Sequence, residues 1–230
     1  MSVTWPAGWH VTVVESTGST NADLVAAVAT GARDRSVLIA RHQTAGRGRF
    51  DRRWEASPGS NLLMSILFRA VPADRHELVQ RVAVAVANAC EPWSAAPPRL
   101  KWPNDVLVDD AKLAGLLAQA GADPSGSPFA VVGVGVNVGW APEGAARLVD
   151  DVDPLVVASS LLVELDRLPL DIARTYRDRL GTLGRRVRVE LPGASIEGTA
   201  VEVEPDGRLV VTDDVGTVHR FAAGDVVHLR

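Results

Sequence analysis

The chain has 230 residues, of which 47% are hydrophobic and 23% are charged, and its formal net charge is −4 at pH 7. A disordered chain carries fewer apolar residues and a less balanced charge, so this composition indicates a folded protein with a sizeable core. A protein whose main partner is nucleic acid usually has a strongly basic balance. The acidic balance therefore argues against nucleic acid as the main partner.

The sequence also predicts the cellular location of the protein and the role of its single cysteine. No uncharged apolar stretch of 18 residues is present, so no membrane span is expected. The N-terminus lacks the charged-then-apolar pattern of a signal peptide, which makes the cytoplasm the expected location. Cys90 lies in a run of alanine and valine, which predicts a buried structural thiol rather than a nucleophile.

The first 180 residues alternate between strand-type and helix-type patterns, which predicts a mixed α/β domain. Thr20 and Asp23 resemble a capping box that opens the first helix, and Asp74 and Glu77 form a second such pair. The predicted strands are 11–15, 37–41, 61–68, 100–108, 112–119 and 129–138, and the predicted helices are 20–29, 74–90, 154–165 and 170–180.

After residue 180 the pattern changes to short strands at close spacing, separated by turn sequences. This texture is typical of a small all-β module of the size of an SH3-like barrel. We therefore predict two domains, residues 1–180 and residues 181–230. The strands of the second domain are predicted at 186–191, 196–203, 208–212, 215–221 and 226–229.

A long polar loop, residues 42–58, concentrates positive charge in an otherwise acidic chain. Glycine lets backbone amides approach an anion closely, and guanidinium groups match phosphate or carboxylate oxygens. The loop thus indicates an anion site, although a solvated basic loop would also explain its charge. It is not a P-loop or a dinucleotide fingerprint, because no Gly-Lys-Ser/Thr follows and Asp51 stands where a third glycine is needed. Its glycines and arginines are Gly46, Arg47, Gly48, Arg49, Arg52 and Arg53.

Two further clusters carry candidate chemistry. Residues 101–105 (KWPND) and 112–115 (KLAG) border a predicted hairpin, and a lysine at the start of a buried strand needs a partner. Surface salt bridges would explain Asp109 and Asp110, but not the Trp-Pro-Asn string. Residues 133–137 (GVGVN) place glycines on one strand face, where either a ligand or a tightly packed backbone comes close.

Together these pieces resemble the biotin protein ligases. The motifs QxAGRGRxxxxW (43–54), KWPND (101–105), KLxG (112–115) and GxGxN (133–137) occur in the order and spacing of that family. Ser19-Thr20-Asn21 matches its first biotin-contacting turn, and the resemblance covers nearly the whole chain. It implies an α/β catalytic domain similar to class II aminoacyl-tRNA synthetases and lipoate ligases, followed by a small SH3-like β-barrel.

The resemblance also implies a reaction in two steps. Such a ligase uses Mg-ATP to convert biotin into biotinyl-5′-AMP and pyrophosphate. It then passes the biotinyl group to one lysine of the biotin carboxyl carrier domain of an acyl-CoA carboxylase such as acetyl-CoA carboxylase. Positioning and electrostatics supply the rate without a covalent enzyme intermediate. The Mg²⁺ is expected to arrive on the ATP phosphates, and no metal ligand is assigned to the protein.

By the same resemblance, Lys112 would bridge the biotin carboxylate and the α-phosphate, and Asp105 would orient the acceptor amine or accept its proton. The implied catalytic residues are Lys112, Arg47, Asp105 and Lys101. The implied biotin-binding residues are Ser19, Thr20, Asn21, Gln43, Gly46, Arg47, Lys112, Gly115 and Gly135. The implied nucleotide-binding residues are Arg47, Arg49, Trp54, Asn104, Asn137 and Arg230.

The chain departs from the family pattern in two places. Asp51 stands where the family usually has glycine, and a carboxylate there is expected to alter the ordering of the loop. Some members carry an N-terminal winged helix, but here the catalytic pattern begins by Val11. We therefore expect a monofunctional ligase that does not bind an operator.

Two alternatives stay open. A lipoate or octanoate ligase shares the fold, although its pocket does not need this Gly-Arg-Gly-Arg loop. A biotin-binding regulator without catalysis is the second alternative, and the presence of both Lys101 and Lys112 argues against it. We expect a monomer or weak homodimer whose loop 42–58 is mobile without ligand and closes over the adenylate, which would otherwise hydrolyse.

Overall fold

The computed structural model describes residues 3–72, 74–149 and 151–229, without the side chains of Asp51 and Arg75. The roles suggested for Arg230 and for the Asp51 carboxylate therefore lie outside the described residues. The helices are α1 (Thr20–Val28), α2 (Arg75–Cys90), α3 (Pro154–Arg167) and α4 (Ala173–Arg179). The strands of the first sheet are β1 (His10–Val14), β2 (Ser36–Ala40), β3 (Leu62–Phe68), β4 (Arg99–Lys101), β5 (Asp105–Val108), β6 (Ala111–Ala122) and β7 (Pro128–Val136).

These seven strands form one mixed sheet in the order β1-β2-β3-β7-β6-β5-β4. β1 and β2 are parallel, and the other neighbours are antiparallel. β7 lies in the middle, paired with β3 on one side and β6 on the other. Side chains of a strand alternate between its two faces, so the even-numbered valines of β7 face one layer and Gly133 and Gly135 face the other.

The two faces of the sheet are covered differently. α2 and α3 pack with the even-numbered residues of β3 and β7 in the main hydrophobic core, which also contains Cys90. Burial raises the pKa of the Cys90 thiol to about 12, in agreement with a structural thiol. On the opposite face, α1 packs on the central strands, through Leu24 and Val28 against Leu67 and Phe129. Much of that face of the sheet is not covered by α1 and can form the wall of a binding site.

Two local predictions were wrong. The first helix is capped by Ser19, whose hydroxyl accepts from the Ala22 N–H, and not by Thr20. Asp23 accepts from the Thr17 hydroxyl instead of closing a capping box. The strand predicted at 100–108 is a hairpin of β4 and β5, because Pro103 lies between them and proline cannot donate to a strand ladder.

The C-terminal module is a five-stranded antiparallel sheet in the order β11-β10-β9-β8-β12. Within the described part of the chain its edge strands β11 and β12 do not pair with each other, so its hydrogen bonding is open rather than that of a closed barrel. No helix among the described residues has the length and apolarity to cross a membrane. The strands are β8 (Arg186–Leu191), β9 (Ala194–Val203), β10 (Leu209–Thr212), β11 (Val218–Phe221) and β12 (Asp225–His228).

Module and first domain meet at the hairpin of β4 and β5. The buried indole of Trp102 donates to the Gly207 carbonyl at 2.9 Å, and the Trp102 backbone N–H donates to Thr182 Oγ1 at 3.1 Å. The Gly181 N–H donates to the Leu100 carbonyl at 2.8 Å. The Trp-Pro-Asn string fits neither a strand nor a simple turn. Its Trp102 is the residue that hydrogen-bonds to the module.

Candidate active site

A cavity of about 360 Å³ opens on the sheet face that carries α1. This volume is within the range of small-molecule sites. Gly46 and Lys101, which the sequence also placed in the site, are not in its wall. The predicted residues that line it are Ser19, Thr20, Asn21, Gln43, Arg47, Arg49, Trp54, Asn104, Asp105, Lys112, Gly115, Gly135 and Asn137.

One end of the cavity, here called the polar end, is formed by Thr20, Asn21, Gln43 and Ser65. The Thr20 N–H donates to Gln43 Oε1 at 2.7 Å, and the Thr20 hydroxyl lies 2.9 Å from the same oxygen. Ser65 Oγ lies 2.7 Å from Thr20 Oγ1 and donates to Asn21 Oδ1 at 2.6 Å. Asn21 Nδ2 donates to the Leu117 carbonyl at 3.1 Å, which orients its amide.

The polar end is short of one hydrogen. Three oxygen–oxygen contacts lead from Gln43 through Thr20 and Ser65 to Asn21, and each needs a hydrogen between its atoms. Only the two hydroxyls supply one each, because both amide oxygens accept and do not donate. Gln43 Oε1 also accepts from the Thr20 N–H, so each oxygen keeps a partner when the two hydroxyls donate toward Asn21, and the remaining lone pairs can accept from a ligand.

The floor of the cavity is made of glycines on β6 and β7. A Cβ on Gly133 would collide with Asn21 Oδ1, and one on Gly135 would collide with the Trp54 ring. A Cβ on Gly115 would lie 3.0 Å from both Trp54 Cζ3 and Lys112 Cε. The glycines thus admit side chains that build the site, and the buried Trp54 Nε1 lacks a hydrogen-bond partner among the described residues.

The other end, here called the charged end, centres on Lys112. Lys112 Nζ lies 2.7 Å from Asp105 Oδ1 and 5.6 Å from the centre of the Trp54 ring. The Lys112–Asp105 contact is an ion pair without hydrogen-bond geometry, because Asp105 Oδ1 has no hydrogen-bond partner in the described structure. The Lys112 side chain is 40% exposed and that of Asp105 18% exposed, so the ammonium faces the opening of the site.

Arg49 is held from three sides at the charged end. Its Nη1 lies 3.0 Å from Asn104 Oδ1, 3.1 Å from the Gly224 carbonyl and 3.5 Å from Asp225 Oδ1. Arg52 also pairs with Asp225. Burial lowers the pKa of Arg49, and the carboxylates of Asp225 and Asp105 oppose that shift. The C-terminal module therefore fixes the arginine loop by a carboxylate at the start of β12.

Arg47 and Gly46 serve the loop in different ways. The exposed Arg47 side chain makes neither an ion pair nor a hydrogen bond within the described ranges, so it is available to a ligand. A Cβ on the buried Gly46 would lie 2.6 Å from the Trp54 carbonyl. The Trp54 N–H donates to the Gly46 carbonyl at 3.1 Å, so Gly46 closes the loop on itself.

Lys101 lies behind the charged end, on β4. Burial lowers the pKa of Lys101, an effect that Asp105 opposes and Lys112 strengthens. Burial, followed by the charges of Arg185 and Lys101, lowers the pKa of nearby His228 to about 4. A partly buried positive charge thus supports the site from outside the cavity wall.

Asn137 and Ser19 have structural partners as well as places in the wall. Asn137 Nδ2 donates to the carbonyls of Lys112, at 3.1 Å, and Ala146, at 2.9 Å. Its Oδ1 has only a 3.5 Å contact with Asn61 Nδ2, so this oxygen remains available to a ligand donor. Ser19 caps α1, which places Thr20 and Asn21 on the first turn at the cavity.

Three of the wall residues that sequence reasoning missed make contacts that shape the site. Ser65 is fully buried in the polar end, and its signal was one hydroxyl in the apolar run 61–68. Leu117 lies in the wall and fixes Asn21 through its carbonyl. Asp225 had no local signal, because its contact depends on how the module docks.

Comparisons with known proteins agree with this geometry. Residues 13–137 match the family model described as biotin/lipoate A/B protein ligase family, and residues 182–229 match the biotin protein ligase C terminal domain. The biotin--[acetyl-CoA-carboxylase] ligase of Mycobacterium tuberculosis is 43% identical, over 97% of this chain and 91% of its own. The bifunctional ligase/repressor BirA of Escherichia coli is 27% identical, over 93% of this chain and 71% of its own.

A solved structure shares the fold. The biotin protein ligase from Aquifex aeolicus in complex with biotin and ATP superposes with a TM-score of 0.79 at 22% identity, covering 96% of this chain and 99% of that one. Both domains are thus matched in sequence and in fold. The chain belongs to the biotin protein ligase family.

Proposed function

We propose that this protein activates biotin with ATP to biotinyl-5′-AMP and transfers the biotinyl group to a lysine of a carrier domain, that of acetyl-CoA carboxylase by analogy with its relative. The observation that carries the proposal is a single cavity with a neutral polar end and a cationic end, joined over a glycine floor beside Lys112. Such a cavity can bind a neutral heterocycle at its polar end and place the carboxylate of the attached chain next to a phosphate at its cationic end.

The polar end suits the ureido ring of biotin. That ring is uncharged and offers two N–H donors and one carbonyl acceptor, and the row from Gln43 to Asn21 offers neutral acceptor oxygens and hydroxyl groups. We propose that a ureido N–H donates to an oxygen of this row and that the ring carbonyl accepts from a hydroxyl or amide of it. A simple fatty acid chain brings neither group, which disfavours octanoate as the substrate.

The first chemical step takes place at the charged end. A biotin carboxylate oxygen attacks the α-phosphorus of ATP, the bond to the β-phosphate oxygen breaks, and pyrophosphate leaves with its electron pair. Two anions must approach each other, and negative charge grows on the phosphoryl oxygens. Lys112, Arg47 and Arg49 provide positive charge for this step, and Lys112 and Arg49 are already held in place by protein partners.

Preorganisation is clearest at Arg49. Asn104, Gly224 and Asp225 all hold its Nη1, so the guanidinium is positioned before a nucleotide arrives. We propose that the remaining N–H groups bind phosphate oxygens. A donor that is already oriented loses little entropy on binding, which favours the bound nucleotide.

The second step needs a base near the activated carbonyl. The amine of the carrier lysine attacks the biotinyl carbonyl carbon, AMP leaves, and an amide forms with release of a proton. Asp105 is a carboxylate of the cavity wall, and it lies 2.7 Å from Lys112 Nζ. We propose that Asp105 orients the amine and takes up that proton.

The remaining assignments concern the nucleotide and its metal. Asn137 Oδ1 accepts from Asn61 Nδ2 at 3.5 Å, and we propose that its second lone pair accepts from an amino group of the base, while Trp54 offers a ring and an unused N–H at the same wall. The described residues contain no group of three or more histidine, cysteine, aspartate or glutamate side chains that would hold a metal. Asp105 and Asp225 both pair with cations, and we propose that Mg²⁺ is held by the ATP phosphates.

The test is mass spectrometry of an acetyl-CoA carboxylase carrier domain after incubation with the protein, biotin and Mg-ATP. We expect the mass of one biotinyl group on the carrier. The chain itself has only two lysines, Lys101 and Lys112, so self-labelling is easily separated. Labelling by lipoate or octanoate in place of biotin would support the alternative ligase, and biotin binding without adenylate formation from any of the three acids would support the non-catalytic alternative.

A further inference from the structure

Two buried asparagines, Asn61 and Asn137, contact each other beside the chain segment that borders the cavity. Asn61, just before β3, and Asn137, just after β7, are each 2% exposed. Asn61 Oδ1 accepts from the backbone N–H groups of Val138 and Trp140, both at 3.1 Å. Its Nδ2 donates to Asn137 Oδ1 at 3.5 Å. Every polar atom of the Asn61 amide is therefore directed at the segment that leaves β7.

That segment, residues 138–149, contributes Pro142 and Ala145 to the cavity wall. It has neither helix nor strand of its own, so a few side-chain and backbone contacts decide where it lies. The Gly139 N–H donates to the Ser60 carbonyl at 2.7 Å, next to the Asn61 contacts. The first residues of the segment are thus held in place by hydrogen bonds to residues 60 and 61.

Toward its other end, the segment is hydrogen-bonded to the backbone of Lys112, whose ammonium group lies at the charged end of the cavity. The Ala146 N–H donates to the Lys112 carbonyl at 3.0 Å, and Asn137 Nδ2 donates to the same carbonyl at 3.1 Å. Asn137 also donates to the Ala146 carbonyl at 2.9 Å. Displacement of Asn137 would therefore move the rim and the backbone of Lys112 together.

We propose that Asn61 is a positioning residue for the nucleotide half of the site, acting through Asn137 and the 138–149 rim. The proposal rests on the proposed function, in which the nucleotide lies beside Asn137 and Lys112. Asn61 is not in the cavity wall, so it would exert its effect without touching the substrate. The polar end is built by α1, loop 42–58 and Ser65, and should not depend on Asn61.

Asn61→Ala tests this directly, because it leaves the buried Val138 N–H and the part-buried Trp140 N–H without an acceptor and removes the donor from Asn137 Oδ1. We expect affinity for ATP to fall about tenfold, the size of one or two lost buried hydrogen bonds, and affinity for biotin to change less than about twofold. Asn61→Asp keeps the acceptor for Val138 and Trp140 but sets an oxygen against Asn137 Oδ1. It should weaken ATP binding by about threefold, and it provides a second variant if the alanine form does not fold.

The control is Asn88→Ala in α2. Asn88 Nδ2 donates to Glu164 Oε2 at 3.0 Å. This change therefore removes a part-buried hydrogen bond of an asparagine amide from the helical layer, away from the cavity. Calorimetric titration with ATP alone and with biotin alone should show both affinities of the control near those of the parent. Equal loss of ATP and biotin binding in Asn61→Ala, or equal loss of ATP binding in Asn88→Ala, would reduce Asn61 to general stability and overturn the inference.

The same titrations separate this inference from the function on which it rests. A parent chain that binds both ligands, with Asn61 variants that bind ATP equally well, overturns the inference alone. A parent chain that binds neither biotin nor ATP overturns the proposed function and the inference with it.

Discussion

The two ends of the cavity are built in different ways. The polar end consists of four side chains on α1, β3 and the start of loop 42–58, all within the first domain and linked by contacts of 2.6 to 2.9 Å. The charged end combines the arginine loop, the β4–β5 hairpin, the start of β6 and Asp225 of the C-terminal module. Recognition of a neutral ring needs a small rigid set of dipoles, whereas the meeting of two anions needs charges gathered from distant parts of the chain.

The largest effect is expected at the charged end from Lys112→Ala. Loss of the ammonium removes positive charge from the point where carboxylate and phosphate meet, so the adenylation rate should fall by about 10²- to 10³-fold. Biotin-dependent exchange of pyrophosphate into ATP measures this step. Biotin binding at the polar end should be largely kept, and parent-like exchange would remove Lys112 from the mechanism.

A smaller effect is expected when the module is uncoupled from the loop. Asp225→Ala frees Arg49 and Arg52 from a shared carboxylate, so nucleotide affinity should fall about tenfold, while biotin affinity remains. Asp214→Ala is the matched control, since Asp214 pairs with Arg186 inside the module and does not reach the cavity. Equal losses of nucleotide binding in the two variants would show that module stability, rather than the Asp225 contact, matters.

The polar end is tested by Ser65→Ala. This change removes the hydroxyl between Thr20 and Asn21 and leaves Asn21 Oδ1 without its donor. Biotin affinity should fall by about fivefold, with ATP affinity unchanged, as expected for one neutral hydrogen bond. Titration of each ligand separately checks this, and a variant that loses ATP binding instead would contradict the division of the cavity.

The smallest effect at neutral pH concerns the interface behind the charged end. The pKa of His228 is lowered to about 4 in the folded protein, chiefly by burial, against 6.5 for a free histidine. The unfolded chain therefore takes up a proton first, and the stability that neutral His228 contributes is complete above pH 6.5 and is lost as the pH falls toward 4. Thermal midpoints measured across this range should fall more steeply for the parent than for His228→Gln, and parallel curves would contradict this prediction.

The sequence predicted the parts of the site whose signal is local. The alternating glycines at 133 and 135 indicated a face of close approach, and the structure places Asn21 and the Trp54 ring there. The arginines of loop 42–58 indicated an anion site, and Arg47, Arg49, Arg52 and Arg53 all line the cavity. Local composition suffices when the residues that act together are also close in sequence.

The sequence could not predict contacts that depend on docking between distant segments. Asp225 lies 176 positions after Arg49, and neither residue signals the other. The strand predicted at 100–108 was wrong because Pro103 interrupts it, and the neighbouring Trp102 donates to Gly207 of the distant C-terminal module. Ser65 was one polar residue in an apolar run, and its meaning depended on α1 packing over β3.

The central claim is that one cavity brings the biotin carboxylate and the α-phosphate together at Lys112. The most direct measurement is the detection of biotinyl-5′-AMP by mass spectrometry, after biotin and Mg-ATP are mixed with the parent and with Lys112→Ala in the absence of a carrier. The account predicts one biotinyl-5′-AMP bound per parent chain and almost none with the variant. Equal amounts of adenylate from both proteins, or none from the parent, would contradict it.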